Sequence, residues 1–566
     1  FVGGTTGNTL FGMDGFRFSK SRQRTWVSAM RTNGQENPWG TDPDVSPTFS
    51  WILASGRQGT LQEAYRIVVS CGGKKVWDSG KVKSDRCVAV PYEGALKPDT
   101  EYIWTLQVWD NHGGVTEESA SKWQTGIRTR DWKAQWITAS DSILPAYFRK
   151  TESISKEVRK ATLYVTSHGI YEAYVNGVRV GNDELTPGWT SYNKRLPYRT
   201  YDVTDMLQKG KNMLAAVVSP GWYSGGMNSG NPKHRYKFGN DVALLLQVNL
   251  EYADGSKGCI MTDGGWECCV PGEDEGAKAG GMVFANIYDG VTIDARRVDA
   301  SWNSVSPQHR WHKKAKVADM PKDQLVATVN EPVKAGQPVR AKAWLVTPKG
   351  EKVIDFGQNM VGWERVKLSG KKGDEIRITH AEVLDKEGNF YTENMRAAKT
   401  ASTFILNGDG VETFEPRHTF YGFRYIRIEG LEGELRLEDF EAVPVCSGFD
   451  RIGEFSSSNP VINQLQHNIE WGFWGNFVDV PTDCPQRDER LGWTGDAQVF
   501  FRTASFLGRV DNFFNKWLAD LKADQRADGR VPRIIPDTYP DGDYRTAATG
   551  WADAATIIPW NHYMAY

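Results

Sequence analysis

From about Pro47 to Val445 the apolar residues recur mostly at every second position; after Gly453 they recur at every third or fourth. The first pattern predicts strands with one buried face, and the second predicts helices. Ala64–Val69 places Tyr65, Ile67 and Val69 on one side. Glu101–Asp110 does the same with Tyr102, Trp104, Leu106 and Val108, and a turn at Asn111-His112-Gly113-Gly114 follows. Short strands separated by turns predict a β-sandwich of fibronectin-III type over residues 45–130. Residues 1–44 are rich in Gly and polar side chains and read as an N-terminal arm. Phe11, Phe16, Phe18 and Trp26 are spaced along it as short strands or docking points.

A second β region, residues 131–320, begins at Trp132 and Trp136. Ala161–Val180 reads as a hairpin turning at Asn176-Gly177, a strong hairpin signal. Val242–Ala253 reads as a strand turning at Asp254-Gly255, and Cys268-Cys269 as strand residues. The length suits a jelly roll with a carbohydrate-binding role. Its loops Gly181–Tyr192 and Gly221–Lys233, rich in Gly, Asn and Trp, suit sugar binding or serve only as turns. A third β unit, residues 321–448, has Val353–Phe356, Val366–Leu368, Glu375–Thr379, Thr403–Leu406 and Tyr425–Glu429 as its strands.

In residues 449–566 the helical period takes over. Asn459 caps a first helix with Pro460 at its first position, and Ile462, Leu465, Ile469 and Phe473 form its stripe. Asp496 reads as the cap of a second helix over Ala497–Leu507. Val510, Phe513, Phe514, Trp517, Leu518 and Leu521 give a third helix one apolar face, and Trp551 starts a fourth. The fold class is multidomain β plus all-α. Four aromatic-faced helices do not close on themselves, so the all-α domain is expected to be truncated at Tyr566.

Composition narrows the function. Lys and Arg number 68 against 70 Asp and Glu, for a net charge of -2, which offers nothing to nucleic acid or an anionic membrane. No apolar run approaches the ~20 residues of a membrane span. The seven cysteines are scattered and lack a CxxC pair, so neither a zinc site nor a disulfide scaffold is indicated. Aromatics are abundant, with 22 Trp, and most are assigned to sandwich cores rather than to sugar stacking. The chain begins at Phe1 rather than Met, which fits a removed leader and a periplasmic or secreted location; a trimmed chain would look the same.

One stretch does not read as core. Asp479–Val499 gathers Asp479, Asp483, Asp488, Glu489 and Asp496 beside Arg487, Arg490 and Trp493, broken by Pro481, Pro485, Gly492 and Gly495. Acids, guanidiniums and an indole on a loop suit a pocket that grips a hydroxylated ligand and moves a proton. Asp479 alone would be a loop cap, Arg490 an ion-pair partner, and Asp488 a side chain facing a neighbouring helix or solvent. Asp496 is either a cap or a ligand contact, or both. Cys484 has no His near it in sequence, which argues against a cysteine nucleophile.

The stretch DVPTDCPQRDERLGWTGDAQVF resembles the active-site signature of bacterial α-L-rhamnosidases, glycoside hydrolase family 78. Trp77-Asp78-Ser79-Gly80, Pro187-Gly188-Trp189-Thr190, Phe356-Gly357-Gln358-Asn359, His380–Leu384, Phe420–Arg424 and Gly550–Asp553 are similar to that family in the same order. The resemblance implies N-terminal β-sandwiches, then an (α/α)6 barrel, and inverting release of terminal α-L-rhamnose from a rhamnose-containing oligosaccharide or glycoside. It places the general acid on Glu489 and the sugar's grip on Asp483, Arg487, Trp493, Asp496 and Trp551. It implies a base in a later barrel segment, beyond Tyr566; Asp553, which follows Trp551, is the tempting substitute but reads as a residue that contacts substrate or supports one that does. Glu382, Glu393 and Glu415 read as structural. An acid needs its proton near neutral pH, so Glu489 is expected nearer Asp483 and Asp496 than Arg487 and Arg490. No cofactor is required, though Asn182-Asp183-Glu184 could offer oxygens to calcium. The competing readings are a carbohydrate-binding protein without catalysis and another (α/α)6 enzyme, such as a phosphorylase or lyase.

Overall fold

The computed structural model describes residues 24–225, 236–328, 330–432, 436–539 and 547–566. Phe11, Phe16 and Phe18, and residues 226–233 of the second expected loop, lie outside the described residues. The described chain divides into two compact units, 24–38 with 44–125, and 39–43 with 126–566.

In the first unit Thr25–Thr32 pairs with Thr48–Ser55, which pairs with Val90–Pro91. A second sheet runs in the order Ser119–Thr125, Glu101–Asp110, Gln62–Cys71, Lys74–Asp78. Tyr65, Ile67, Val69, Tyr102, Trp104, Leu106 and Val108 all enter the core, as the alternation demands. The sandwich therefore starts within the stretch read as an arm. Thr25–Thr32 escaped notice because most of its side chains are only half-buried and do not alternate.

The second unit opens with a two-sheet sandwich. Val158–His168 lies in one sheet, between Leu196–Asp202 and Ala243–Tyr252. Ile170–Val175 lies in the other, beside Gly210–Ser219. The expected hairpin over Ala161–Val180 is thus not one hairpin. The chain changes sheets at Gly169, whose φ is +125° and whose Cβ would meet the Ser219 carbonyl oxygen at 2.1 Å. Only Tyr174–Arg179 closes around Asn176-Gly177. Alternation reports which face is buried, not which sheet a strand joins.

The same limit moves the next boundary. Gly280–Asn286 and Gly290–Val298, read as part of the second β region, join the sheet of the third, where the latter runs parallel to Ala401–Ile405. That sheet is organised on one long strand, Lys352–Ser369, which contains both Val353–Phe356 and Val366–Leu368. A bulge between Asp355 and Met360 bends it, with Gly357 at φ +75°.

Among the described residues four α-helices follow: α1 Pro460–Asn476, α2 Thr494–Leu507, α3 Asp511–Asp524 and α4 Ala554–Ala565. Asn459 caps α1 by accepting from the Val461 N–H. Phe513, Phe514, Trp517 and Leu521 bury the face of α3. On α1 only Phe473 of the expected stripe is buried, while Ile462 and Leu465 are exposed. Trp560, Tyr563 and Met564 on α4 are exposed as well. One apolar core runs through the second sandwich, the third β unit and the helices, by way of Trp189, Trp222, Phe420, Phe477 and Trp517. No described helix is long and apolar enough to cross a membrane.

Candidate active site

The loop between α1 and α2 begins deep in that core. Asp479 is buried at φ +68°. Its Oδ2 accepts from the Trp189 N–H at 2.5 Å and from Lys516 Nζ at 3.1 Å. Its Oδ1 accepts from Asn330 Nδ2 at 2.7 Å. Asp479 is thus a buried tie between sandwich and helix rather than a mere loop cap. Thr190 Oγ1 and Ser191 Oγ donate to Asp520 and Asp524 of α3 at 2.7 and 2.5 Å. The loop Gly181–Tyr192, a candidate for sugar contact, spends this part of its polarity on α3.

Arg490 fixes the middle of the loop. It is buried at φ +50°, and its guanidinium donates to the carbonyls of Gln486, Arg487, Ile287 and Phe420. The rings of Tyr288 and Phe420 flank it at 5.0 Å. The sequence reading as an ion-pair partner is corrected: Arg490 is structural, but carbonyls satisfy it. Tyr288 adds a hydrogen bond from its hydroxyl to the Glu489 carbonyl, at 2.6 Å.

Around Glu489 the polar groups converge. Its Oε1 accepts from Trp493 Nε1 at 3.0 Å. Its Oε2 accepts from Arg487 Nε at 3.1 Å and from Arg396 Nη1 at 3.0 Å. Arg487 also reaches Asp483 Oδ2 at 3.4 Å. The expectation that Glu489 lies nearer acids than guanidiniums therefore fails, because two arginines grip one of its oxygens. The raised carboxyls are its neighbours. Burial pushes Asp483 up to about 6, aided by the charge of Glu489 and opposed by hydrogen bonds from Cys484 and the Leu491 N–H and by Arg487. Burial and Glu489 also raise Asp496. Burial pushes the Cys484 thiol well up, which leaves it protonated and supports the case against a thiolate nucleophile.

Asp488 does not face a helix or solvent. It is buried, and its Oδ2 accepts from the Ala397 N–H at 3.3 Å. Asp496 is not the cap of α2; Trp493 holds that position and Asp496 sits in the first turn. Asp553 is exposed and occupies the cap position of α4, its carboxylate accepting from the Gly550 N–H at 3.2 Å. Asp483, Asp496 and Trp551 line a cavity of about 640 Å³ with Phe473, Phe477 and Phe500. Gly495 admits the Trp551 ring; a Cβ there would lie 3.0 Å from it. Glu489, Arg487 and Trp493 are not in that lining. The Glu489 and Asp483 ligand oxygens nevertheless lie within 4.8 Å of each other.

Asp483, Cys484 and Glu489 are the described metal-ligating side chains that converge, and guanidiniums already meet the carboxylate charge there. Asn182 and Asp183 take Lys334 Nζ, and Glu184 takes the Arg179 fork with two contacts of 2.8 Å. Of the upstream acids, Glu415 is structural, accepting from Trp363 and Arg365. Glu382 comes closer: Asn359 donates to it at 3.0 Å, burial raises it, and the charge of Arg487 reaches it. Arg396 was missed altogether. It lies 93 residues before Glu489, and no spacing rule links them.

Four family models match successive parts of the chain. The Rha78A-like N-terminal immunoglobulin domain matches residues 27–129, and the alpha-L-rhamnosidase N-terminal domain matches 156–337. The bacterial alpha-L-rhamnosidase concanavalin-like domain matches 346–446, and the bacterial alpha-L-rhamnosidase 6 hairpin glycosidase domain matches 450–566. An alpha-L-rhamnosidase of Streptomyces avermitilis is 32% identical, over 94% of this chain and 68% of its own length. One from Formosa agariphila is 34% identical, over 94% and 58%. The crystal structure of an Aspergillus terreus alpha-L-rhamnosidase is 33% identical with a TM-score of 0.89, covering 95% of this chain and 62% of that one. The Streptomyces avermitilis enzyme complexed with L-rhamnose is 31% identical with a TM-score of 0.87, covering 96% and 69%. The chain thus spans roughly three fifths to two thirds of the proteins it matches.

Proposed function

The chain belongs to the bacterial α-L-rhamnosidase family, glycoside hydrolase family 78, and from that premise we propose that its protein hydrolyses terminal α-L-rhamnosides with inversion at the anomeric carbon. The observation that carries the proposal is the convergence of Asp483, Arg487, Glu489 and Trp493 on one loop, beside a cavity bordered by Asp483, Asp496 and Trp551. In this reading the helices are part of an (α/α)6 barrel and the cavity receives the rhamnose ring. Trp551, with the cavity's phenylalanines, offers an apolar wall to the methyl side of a 6-deoxy sugar. Asp483 and Asp496 accept from sugar hydroxyls.

Glu489 donates its proton to the glycosidic oxygen as the bond from that oxygen to the anomeric carbon breaks. Water attacks the opposite face and gives its proton to a second carboxylate, typically ~6.5–9.5 Å from the first. None of the described residues is assigned that second part. Arg487 links the acid to the sugar's grip. Its guanidinium spans Glu489 and Asp483, and a sugar that draws it onto hydroxyls loosens one of the two grips on the acid. The chemistry uses only carboxyls and water.

The test is turnover of an aryl α-L-rhamnoside and of a natural rhamnosyl disaccharide by the protein at its natural full length, with and without Glu489→Gln. Inactivity of the wild type on both would reject the enzyme in favour of a binding protein. Near-normal hydrolysis of the disaccharide by Glu489→Gln would reject the acid. The aryl substrate alone cannot decide the second point, because its leaving group needs little protonation.

A further inference from the structure

We propose that Arg396, contributed by the third β unit, is a positioning residue for Glu489 and marks the leaving-group side of the site. The proposal rests on the reading of Glu489 as proton donor. Arg396 ends a single 3-10 turn, Glu393–Met395, and holds φ +56° and ψ -121°. A non-glycine residue in that region is strained, and such strain persists only where the surroundings enforce it. Here they do. Met395 is buried beneath it, and the Arg396 N–H bonds the Glu393 carbonyl at 3.2 Å.

The strained turn clasps the dipeptide Asp488–Glu489 at two points. The Ala397 N–H donates to Asp488 Oδ2 at 3.3 Å, and Arg396 Nη1 meets Glu489 Oε2 at 3.0 Å. The same Nη1 lies 3.9 Å from Asp488 Oδ1, a buried oxygen with no hydrogen-bond partner among the described residues. Stability does not account for the arrangement. The Arg396 side chain is 48% exposed, and ion pairs this wet contribute about 0–1 kcal/mol. Orientation does account for it. Trp493 holds Oε1 while Arg396 holds Oε2, so the plane of the carboxyl is fixed from two elements. If Arg487 turns to the sugar, Arg396 is the remaining guanidinium on the acid.

The location gives the side. The sugar cavity lies toward Asp483, Asp496 and Trp551, whereas Arg396, Glu382 and Asn359 come from the third β unit. A half-exposed guanidinium beside the proton donor, outside the lining of the sugar cavity, borders the departing group. A hydroxylated leaving group, such as a second sugar, can accept from it.

Arg396→Met and Arg396→Lys in the natural full-length protein test this, with kcat and KM measured on a nitrophenyl rhamnoside and on a rhamnosyl disaccharide. Arg396→Met is expected to lose about tenfold to a hundredfold in kcat/KM on the disaccharide, which needs the proton, and little on the nitrophenyl substrate. Arg396→Lys should retain part of the disaccharide activity. Equal losses on both substrates would show a merely structural role, and no loss on either would remove Arg396 from the reaction. If Arg396→Met fails to fold, Arg396→Lys decides alone: a loss confined to the disaccharide supports the proposal, and an equal loss or none overturns it. Glu489→Gln run alongside separates the failures. Its retention of disaccharide activity rejects the acid, whatever Arg396 does.

Discussion

The two ends of the loop joining α1 to α2 use the same residue types under opposite conditions. At the first end Asp479 is buried, and Lys516, Asn330 and the Trp189 amide satisfy its oxygens. At the second, Glu489 and Asp483 share a half-open space with Arg487 and Arg396, and Asp483 is held up at about 6. The first end has a full set of partners and nothing left to offer a ligand. The second has carboxyls in partial conflict with one another and guanidiniums that can exchange partners. An acid with every oxygen answered holds the fold, whereas acids pressed together beside a cavity are available for chemistry.

Substitutions at the two ends should therefore fail differently. The largest effect belongs to Glu489→Gln, with disaccharide turnover falling about 10²–10⁴-fold while the thermal midpoint holds. Asp479→Ala should reverse that signature. Breaking the buried Asp479–Lys516 pair, with Lys516 left to Asp520 and the Trp189 carbonyl, costs up to about 3–5 kcal/mol in denaturant melts. Loss of rhamnoside turnover from Asp479→Ala in protein shown to remain folded would break the contrast. Trp493→Phe removes the indole donor to Glu489 Oε1 and should lower turnover up to about tenfold, since a hydrogen bond contributes about 0.5–1.5 kcal/mol.

The smallest effect is a gain. Asp483 is held near 6, above its ordinary value of about 3.9, so its retained proton favours the folded state at low pH. That contribution is lost as pH rises through about 6. Asp483→Asn should then be more stable than wild type at pH 7, on the order of 1–2 kcal/mol, although it loses sugar binding. The advantage should shrink below pH 6 and vanish near pH 4. A constant advantage across that range would mean that titration of Asp483 is not its source.

Much of the fold was legible in residue order. Tyr102, Trp104, Leu106 and Val108 revealed their buried face, and Asn459-Pro460 revealed the start of α1. Sheet membership was not legible. Val158–His168 and Ile170–Val175 alternate alike and part company at Gly169, and the strands of 280–298 cross a boundary drawn from composition. In the site, the residues of one loop were found together because they are local. Asp488 was misjudged because adjacency in sequence says nothing about a third segment that buries one neighbour and leaves the other half-buried at the site. Arg396, Glu382 and Asn359 approach from another sheet, and no local pattern announces them.

The Arg490 guanidinium ties the carbonyls of the acid-bearing loop to those of Ile287 and Phe420, which adjoin the ends of two strands of the third β unit's sheet, Gly280–Asn286 at its edge and Tyr421–Glu429 inside it. The alignment of Glu489 is therefore a property of the sheet as much as of the helices that flank the loop. Heat or denaturant that loosens those strand ends first would silence the protein while its helices still report a native spectrum. Inactivation should precede loss of helical circular dichroism, and the interval between them would measure how far the loop depends on Arg490.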